Sequence, residues 1–445
     1  MATTTLSTIL TRLNQRIGDA ITGTVTTAIN ADTNVVCSDL NKEVNQDDAF
    51  NRQWIYFTDE NNSAEYRKIS DYTNSTGTLV VMGASLTDDG ADKGSFELHK
   101  YDRRNKIRAI NQAAREIYPY VFRFLRDRTL ITNNLAPNAS FEDWSSASYP
   151  DHWTSSAGVV ISENTTAANV YGSGSSLKLE ASADDGYIAL HSQIYPKLLD
   201  LAGKTITLRA QVLPQLADDA YFSILMGHPD ATSTTLTSDP AEHKTYFGLL
   251  EFADQEINED IILLIIRIHV GTNTKYVYVD NFRLLGMDIR EYLLPLDFQL
   301  PATIVDNIRV QTTAARDYPA DDLYSHARFE PVNSWNVSDD ATTKYLIIQE
   351  QLQSDRHLLI EGHAPLESDL SSATDTMTIE DPQLDCLVEL ACSKLFEMEA
   401  GTPAATDKKF MYQEAVRYRA SYEYLVGRYA MKEPSATQKF DWRIL

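Results

Sequence analysis

Between residues 134 and 286 the chain runs short alternating strands with no helical period, and helical patterns stand on both sides. Within this span "SSLKLEAS", "KTITLRAQVL", "AYFSILMG", "IILLIIRIHV" and "TKYVYVDNFRLL" alternate polar and apolar positions at period two. Successive strand residues point to opposite faces, so each such segment buries one face and needs partners. Several in a row without a helix predict a β-sandwich. Helices resume afterwards, which points to an all-β guest inserted into a host. The stretch "NNLAPNASFEDWSSASYPDHW", residues 133–153, marks where the guest begins. A host tolerates a guest where the chain leaves and returns at neighbouring points of an exposed loop.

In the host, Leu6, Ile9, Leu10, Leu13, Ile17 and Ala20 recur at spacings of three and four, predicting an amphipathic helix over 3–21. Short strands with Asn, Ser and Gly turns predict a small antiparallel unit at about 52–101. Residues 102–128 carry Ile107, Ile110, Ala114, Ile117, Val121, Phe122 and Leu125 on one helical stripe, with Pro119 expected to kink or break it. This segment holds eight Lys/Arg against three Asp/Glu, read as a solvated face or as a surface docking on an acidic partner. A second β segment follows at about 290–366. Helices over 382–399 and 407–432 then form a hairpin, and a tail closes the chain. The expected fold is α+β and multidomain. A helical-bundle host with small antiparallel β segments occupies 1–133 and 287–432, an inserted jelly-roll sandwich 134–286, and a docking tail 433–445. In the tail, Phe440, Trp442, Ile444 and Leu445 are apolar without period and are the expected partner contacts.

Charge narrows the partners. The net charge is −24, and the guest alone holds 19 acidic and 8 basic residues. A free-standing nucleic-acid binder is expected to carry the opposite sign, and adhesion to anionic membranes is disfavoured likewise. Cys37, Cys386 and Cys392 are too few and too scattered for a disulfide framework or a zinc site. The start "MATTTLSTILTRLNQ" lacks the layout of a signal peptide, so a chain kept in a cytoplasm or released by lysis is expected. No nucleophile elbow, phosphate loop or zinc-protease motif occurs, and no enzyme activity is expected.

The phrases "NLAPNASFEDW…YPDHW", "YGSGSSLKLEAS" and "YVYVDNFRLL" resemble the jelly-roll carbohydrate-binding modules appended to xylanases and related glycosidases. That resemblance implies a structural calcium joining Glu142 to Asp280, with Asn138 near. Against it stands the reading that Glu142 caps a turn and Asp280 bonds backbone. The resemblance also implies sugar binding by stacked aromatics and planar polar groups, for which Trp144, Trp153, Tyr187, Tyr221, Arg267, His269, Tyr276 and Tyr278 are the candidates. Trp144 and Trp153 lie in the opening motif, where core or edge packing is the commoner role.

The host order, with "AEYRKISDYTNSTGTLVV", "AINQAAREIYPYVF" and "YLLPLDF", resembles head-to-tail adaptors from the neck of tailed bacteriophages. The resemblance implies a virion protein assembled in the host cytoplasm, in a homo-oligomeric ring of about a dozen copies. Its partners would be the portal and the tail or next neck protein, with DNA passing through an acidic lumen without sticking. Cell-surface glycans would meet the outward module. Two alternatives remain: a tail fibre, baseplate or other host-recognition protein, and a secreted carbohydrate-active accessory protein or glycosidase.

Overall fold

The computed structural model describes residues 3–431 apart from 28, 30–31, 41–45, 89–92, 147, 172–173, 244, 313–328, 340–342 and 402–406. Phe440, Trp442, Ile444 and Leu445 therefore lie outside the described residues. The fold is mixed α+β, with strands dominating. Among the described residues it divides into two compact units, one over 1–123 and 365–433, the other over 124–364.

In the first unit, a short strand β1 (Thr3–Thr5) pairs with β25 (Thr376–Thr378) and leads into α1 (Leu6–Ile17). Thr5 caps α1 by accepting the Thr8 amide, and Gly18 ends it in the left-handed region at φ 64°. Six strands follow: β2 (Ile21–Thr24), β3 (Asn34–Val36), β4 (Trp54–Phe57), β5 (Tyr66–Thr73), β6 (Thr78–Val81) and β7 (Ser95–His99). They form one antiparallel sheet in the order β2-β7-β4-β5-β6-β3, with Val35, Ile55, Phe57, Ile69, Leu79 and Phe96 in its core. The sheet thus begins well before residue 52, because β2 and β3 are too short to show a period.

Helix α2 (Arg103–Glu116) follows. The helical stripe predicted to 128 ends early, since proline at 119 supplies no amide for a continuing ladder. Residues beyond it instead form strand β8 (Arg123–Asp127). The first unit closes with α4 (Gln383–Gly401) and α5 (Lys408–Tyr429), the latter capped by Asp407 on the Phe410 amide. Helices α1, α2 and α5 all pack on α4, which is why α4 buries residues around most of its circumference, Cys386 and Cys392 included.

In the second unit two five-stranded antiparallel sheets make a sandwich. The first runs β10 (Val159–Asn164), β11 (Ser176–Ala181), β18 (Tyr276–Leu285), β13 (Thr205–Pro214), β16 (Gly248–Glu256). The second runs β15 (Ser233–Thr237), β14 (Ala220–Gly227), β17 (Leu263–Val270), β12 (Gly186–His191), β9 (Thr154–Ser155). Alternate residues of both fill one core that extends from Leu135 to Leu284. The chain then adds β19 (Glu291–Leu293), a single turn α3 (Leu296–Gln299), and β20 (Ile304–Gln311) to β24 (Leu358–Ala364). These make two small sheets, one of which takes β8 as its edge, around Phe298, Ile308, Trp335, Leu346 and Ile360. Between them and the sandwich lies a buried ion pair: the Arg283 guanidinium, 1% exposed, is 2.9 Å from the Asp355 carboxylate.

Candidate functional site

Strands β12, β17 and β14 lie side by side, and their register fixes which side chains meet. Leu264, Ile266, Ile268 and Val270 of β17 face the core. The intervening Ile265, Arg267 and His269 therefore face outward. His269 is directly opposite Tyr187 on β12 and Tyr221 on β14. Arg267 is opposite Ala189 and Ser223, and Ile265 is opposite His191 and Leu225. The result is a row of three rings across three strands, with a guanidinium in the next row between two small residues.

Contacts within the row are specific. The Tyr221 and His269 rings are parallel within 5° at 4.4 Å, and the Tyr187 ring lies 5.2 Å from His269 on the other side. The Arg267 guanidinium sits 4.6 Å over the Tyr187 ring. Tyr221 donates its hydroxyl to Asp185 Oδ1 at 2.7 Å, while Ser223 Oγ lies 2.8 Å from His269 Nε2. Burial, helped by the Arg267 charge, pushes the His269 imidazole down to about 4, so it is neutral at ordinary pH. Burial and then Arg267 hold His191 down as well. The face therefore presents aromatic edges, hydroxyls and one planar cation. This is chemistry suited to polyhydroxylated rings, which stack on aromatics and take paired hydrogen bonds from guanidinium.

Of the eight sugar candidates read from sequence, Tyr187, Tyr221, Arg267 and His269 come together here. Tyr276 and Tyr278 lie on β18 in the other sheet, their rings 5.3 Å apart and edge-on, with Lys178 5.1 Å over Tyr276. Trp153 is 5% exposed and packs between Phe141 and Phe282 at 5.1 and 5.2 Å, a core role. Trp144 is half-buried against the same core and donates its indole N–H to the Phe141 carbonyl at 2.6 Å. Sequence reading did not single out Ser223, Asp185 or His191. Ser223 and His191 were reachable from the period-two pattern, while Asp185 depends on the fold of a turn.

Each of the residues implied for calcium is hydrogen-bonded to backbone. Asp280 is fully buried and accepts the Tyr171 amide at 2.9 Å and the Asn281 amide at 2.7 Å. Glu142 accepts the Ser175 amide at 3.1 Å. Asn138 spans Asp143, donating to its carbonyl at 2.7 Å and accepting its amide at 3.1 Å. Among the described residues no group of three or more His, Cys, Asp or Glu side chains is placed to hold a metal ion. These hydrogen bonds fix the Asp280 and Glu142 carboxylates in place and leave lone pairs on their oxygens.

Among the described residues no helix is long and apolar enough to cross a membrane. No protein-family model matches the chain, and no curated protein matches it. Among solved structures it is similar to the CBM22-1 xylan-binding domain of Paenibacillus barcinonensis Xyn10C, at 15% identity over 37% of this chain and 96% of that one, with a TM-score of 0.27. It is also similar to TmCBM61 in complex with β-1,4-galactotriose, at 10% identity over 35% and 99%, TM-score 0.24. A third is the enzymatically active domain of tailspike protein 4 from bacteriophage CBA120, at 12% identity and TM-score 0.27. There the match covers 35% of this chain and 22% of that one.

Proposed function

We propose that the chain is a non-catalytic carbohydrate-binding protein of a virus particle, serving host recognition through the outward face of β12, β17 and β14. The observation that carries this is the row Tyr187–His269–Tyr221 with Arg267 beside it, built in register on three paired strands. Rings set on strands lose little freedom on binding, so a sugar meets a preformed surface. Each contact is weak, and copies displayed together on a particle gain avidity. Retention of the intact chain on immobilised polysaccharide, lost on Tyr221→Ala, tests it.

The head-to-tail adaptor is the second reading. It is favoured by a first unit that is discontinuous in sequence, its helices drawn from both ends of the chain around α4. On this reading the protein assembles below a portal as a ring of about a dozen copies. Native mass spectrometry decides between a ring and the trimer expected of a fibre.

A further inference from the structure

In the first unit, β4 and β5 turn Ile55, Phe57 and Ile69 into the core. Their other face carries Trp54, Tyr56, Tyr66 and Lys68, with Trp54 opposite Lys68 and Tyr56 opposite Tyr66. The Trp54 and Tyr66 rings are stacked, 3° from parallel at 4.8 Å. The Arg103 amide donates to the Tyr66 hydroxyl at 2.6 Å, which brings the first turn of α2 onto this face. Cations then interleave with the rings: Arg103 lies 3.9 Å over Tyr56, Arg104 5.7 and 5.8 Å from Trp54 and Tyr66, and Lys68 5.6 Å over Trp54. The nearby acids have partners already, Asp102 with Arg104, Glu97 with His99 and Glu65 with Arg67. A protein of net charge −24 thus keeps one face where cations interleave with aromatic rings, Lys68 and Arg103 without an ion pair among the described residues and Arg104 paired with Asp102.

We propose that this face binds single-stranded nucleic acid, with bases stacking on the Trp54–Tyr66 pair and phosphates meeting Lys68, Arg103 and Arg104. Stacking needs bases free of a partner strand, and alternating rings and cations match the alternation of base and phosphate. A purely ionic surface for acidic protein would have no use for the stacked rings. The site lies outside the sugar-binding face and stands or falls independently of it.

The test is fluorescence anisotropy of a short fluorescein-labelled oligothymidine titrated with the intact chain. Saturable binding is expected, weakening about tenfold as salt rises from about 50 to about 200 mM. Lys68→Ala with Arg104→Ala, and separately Trp54→Ala, each lower affinity about tenfold, while Trp54→Phe keeps most of it. Circular dichroism checks that each variant folds, and Trp54→Phe keeps the stacking test valid if Trp54→Ala does not. No binding at low salt overturns the proposal, as does binding that ignores all three positions. Equal affinity for labelled polyglutamate also overturns it, and would assign the face to an acidic protein partner.

Discussion

The imidazole of His269 lies flat against the Tyr221 ring, 4.4 Å away and within 5° of parallel. Cross-strand register places them opposite one another, and Tyr187 closes the other side. Burial holds the imidazole neutral, so the stack does not lose its geometry to charging across ordinary pH. Glycan affinity is accordingly expected to be flat between about pH 5.5 and 8.5. A binding curve with a midpoint near 6.5 would show that His269 titrates freely.

Two aromatic substitutions separate folding from recognition. Trp153→Ala removes a core ring and is expected to cost about 3–5 kcal/mol of stability. Tyr221→Ala removes a half-buried outward ring and is expected to leave the urea midpoint nearly unchanged while abolishing retention on polysaccharide. The two variants, compared by unfolding and by retention, should show opposite patterns.

Stability should fall on mild acidification. His269 and His357 are both pushed down to about 4 by burial, whereas the unfolded chain titrates near 6.5. Between those values the unfolded state binds more protons. Stability is therefore complete above about 6.5 and lost as pH falls toward about 4, by about 3 kcal/mol per histidine. Asp127, pushed up to about 6 by burial, acts in the opposite direction. Replacing each histidine by Gln and comparing urea midpoints at pH 7 and 4.5 isolates the effect. A wild-type-like pH slope in both variants would contradict it.

Asp355 is the counter-charge of a buried arginine. Asp355→Ala leaves Arg283, 1% exposed, without its 2.9 Å partner and is expected to cost about 3–5 kcal/mol. Adding Arg283→Met should recover part of that loss, because the buried charge is gone. Chemical denaturation of the single and double variants measures both.

Asp280→Ala should cost about 1–3 kcal/mol by leaving the Tyr171 and Asn281 amides without acceptors. Comparing the thermal midpoint in EDTA and in calcium tests the metal directly, and equal midpoints would count against it. A calcium-dependent rise would support the metal that the family resemblance implies.

The sandwich was the most legible part of the molecule. Strand Leu263–Val270 alternates faces throughout, and its inward residues could be named in advance. Tyr276–Leu285 keeps that alternation only to Val279, where a bulge moves the inward set to Phe282 and Leu284. Pairing Arg267 with His269 on one face needed only period two. Sequence could not say that β12 and β14, far apart in the chain, flank β17, so it could not separate Tyr187 and Tyr221 from Tyr276 and Tyr278. The strand Arg123–Asp127 was hidden because Val121, Phe122 and Leu125 also fit a helical stripe, and their burial comes from tertiary packing. The unpaired face of Trp54 and Tyr66 was hidden too, since the cations that interleave with it come largely from a helix more than thirty residues on.

The most direct measurement is the affinity of the intact chain for soluble polysaccharides, xylan and galactan among them, by affinity electrophoresis beside Arg267→Ala and Tyr221→Ala. The account predicts retardation by at least one polysaccharide that both substitutions abolish while the fold persists. Retardation that survives both, or no retardation by any glycan presented in multivalent form, would contradict it.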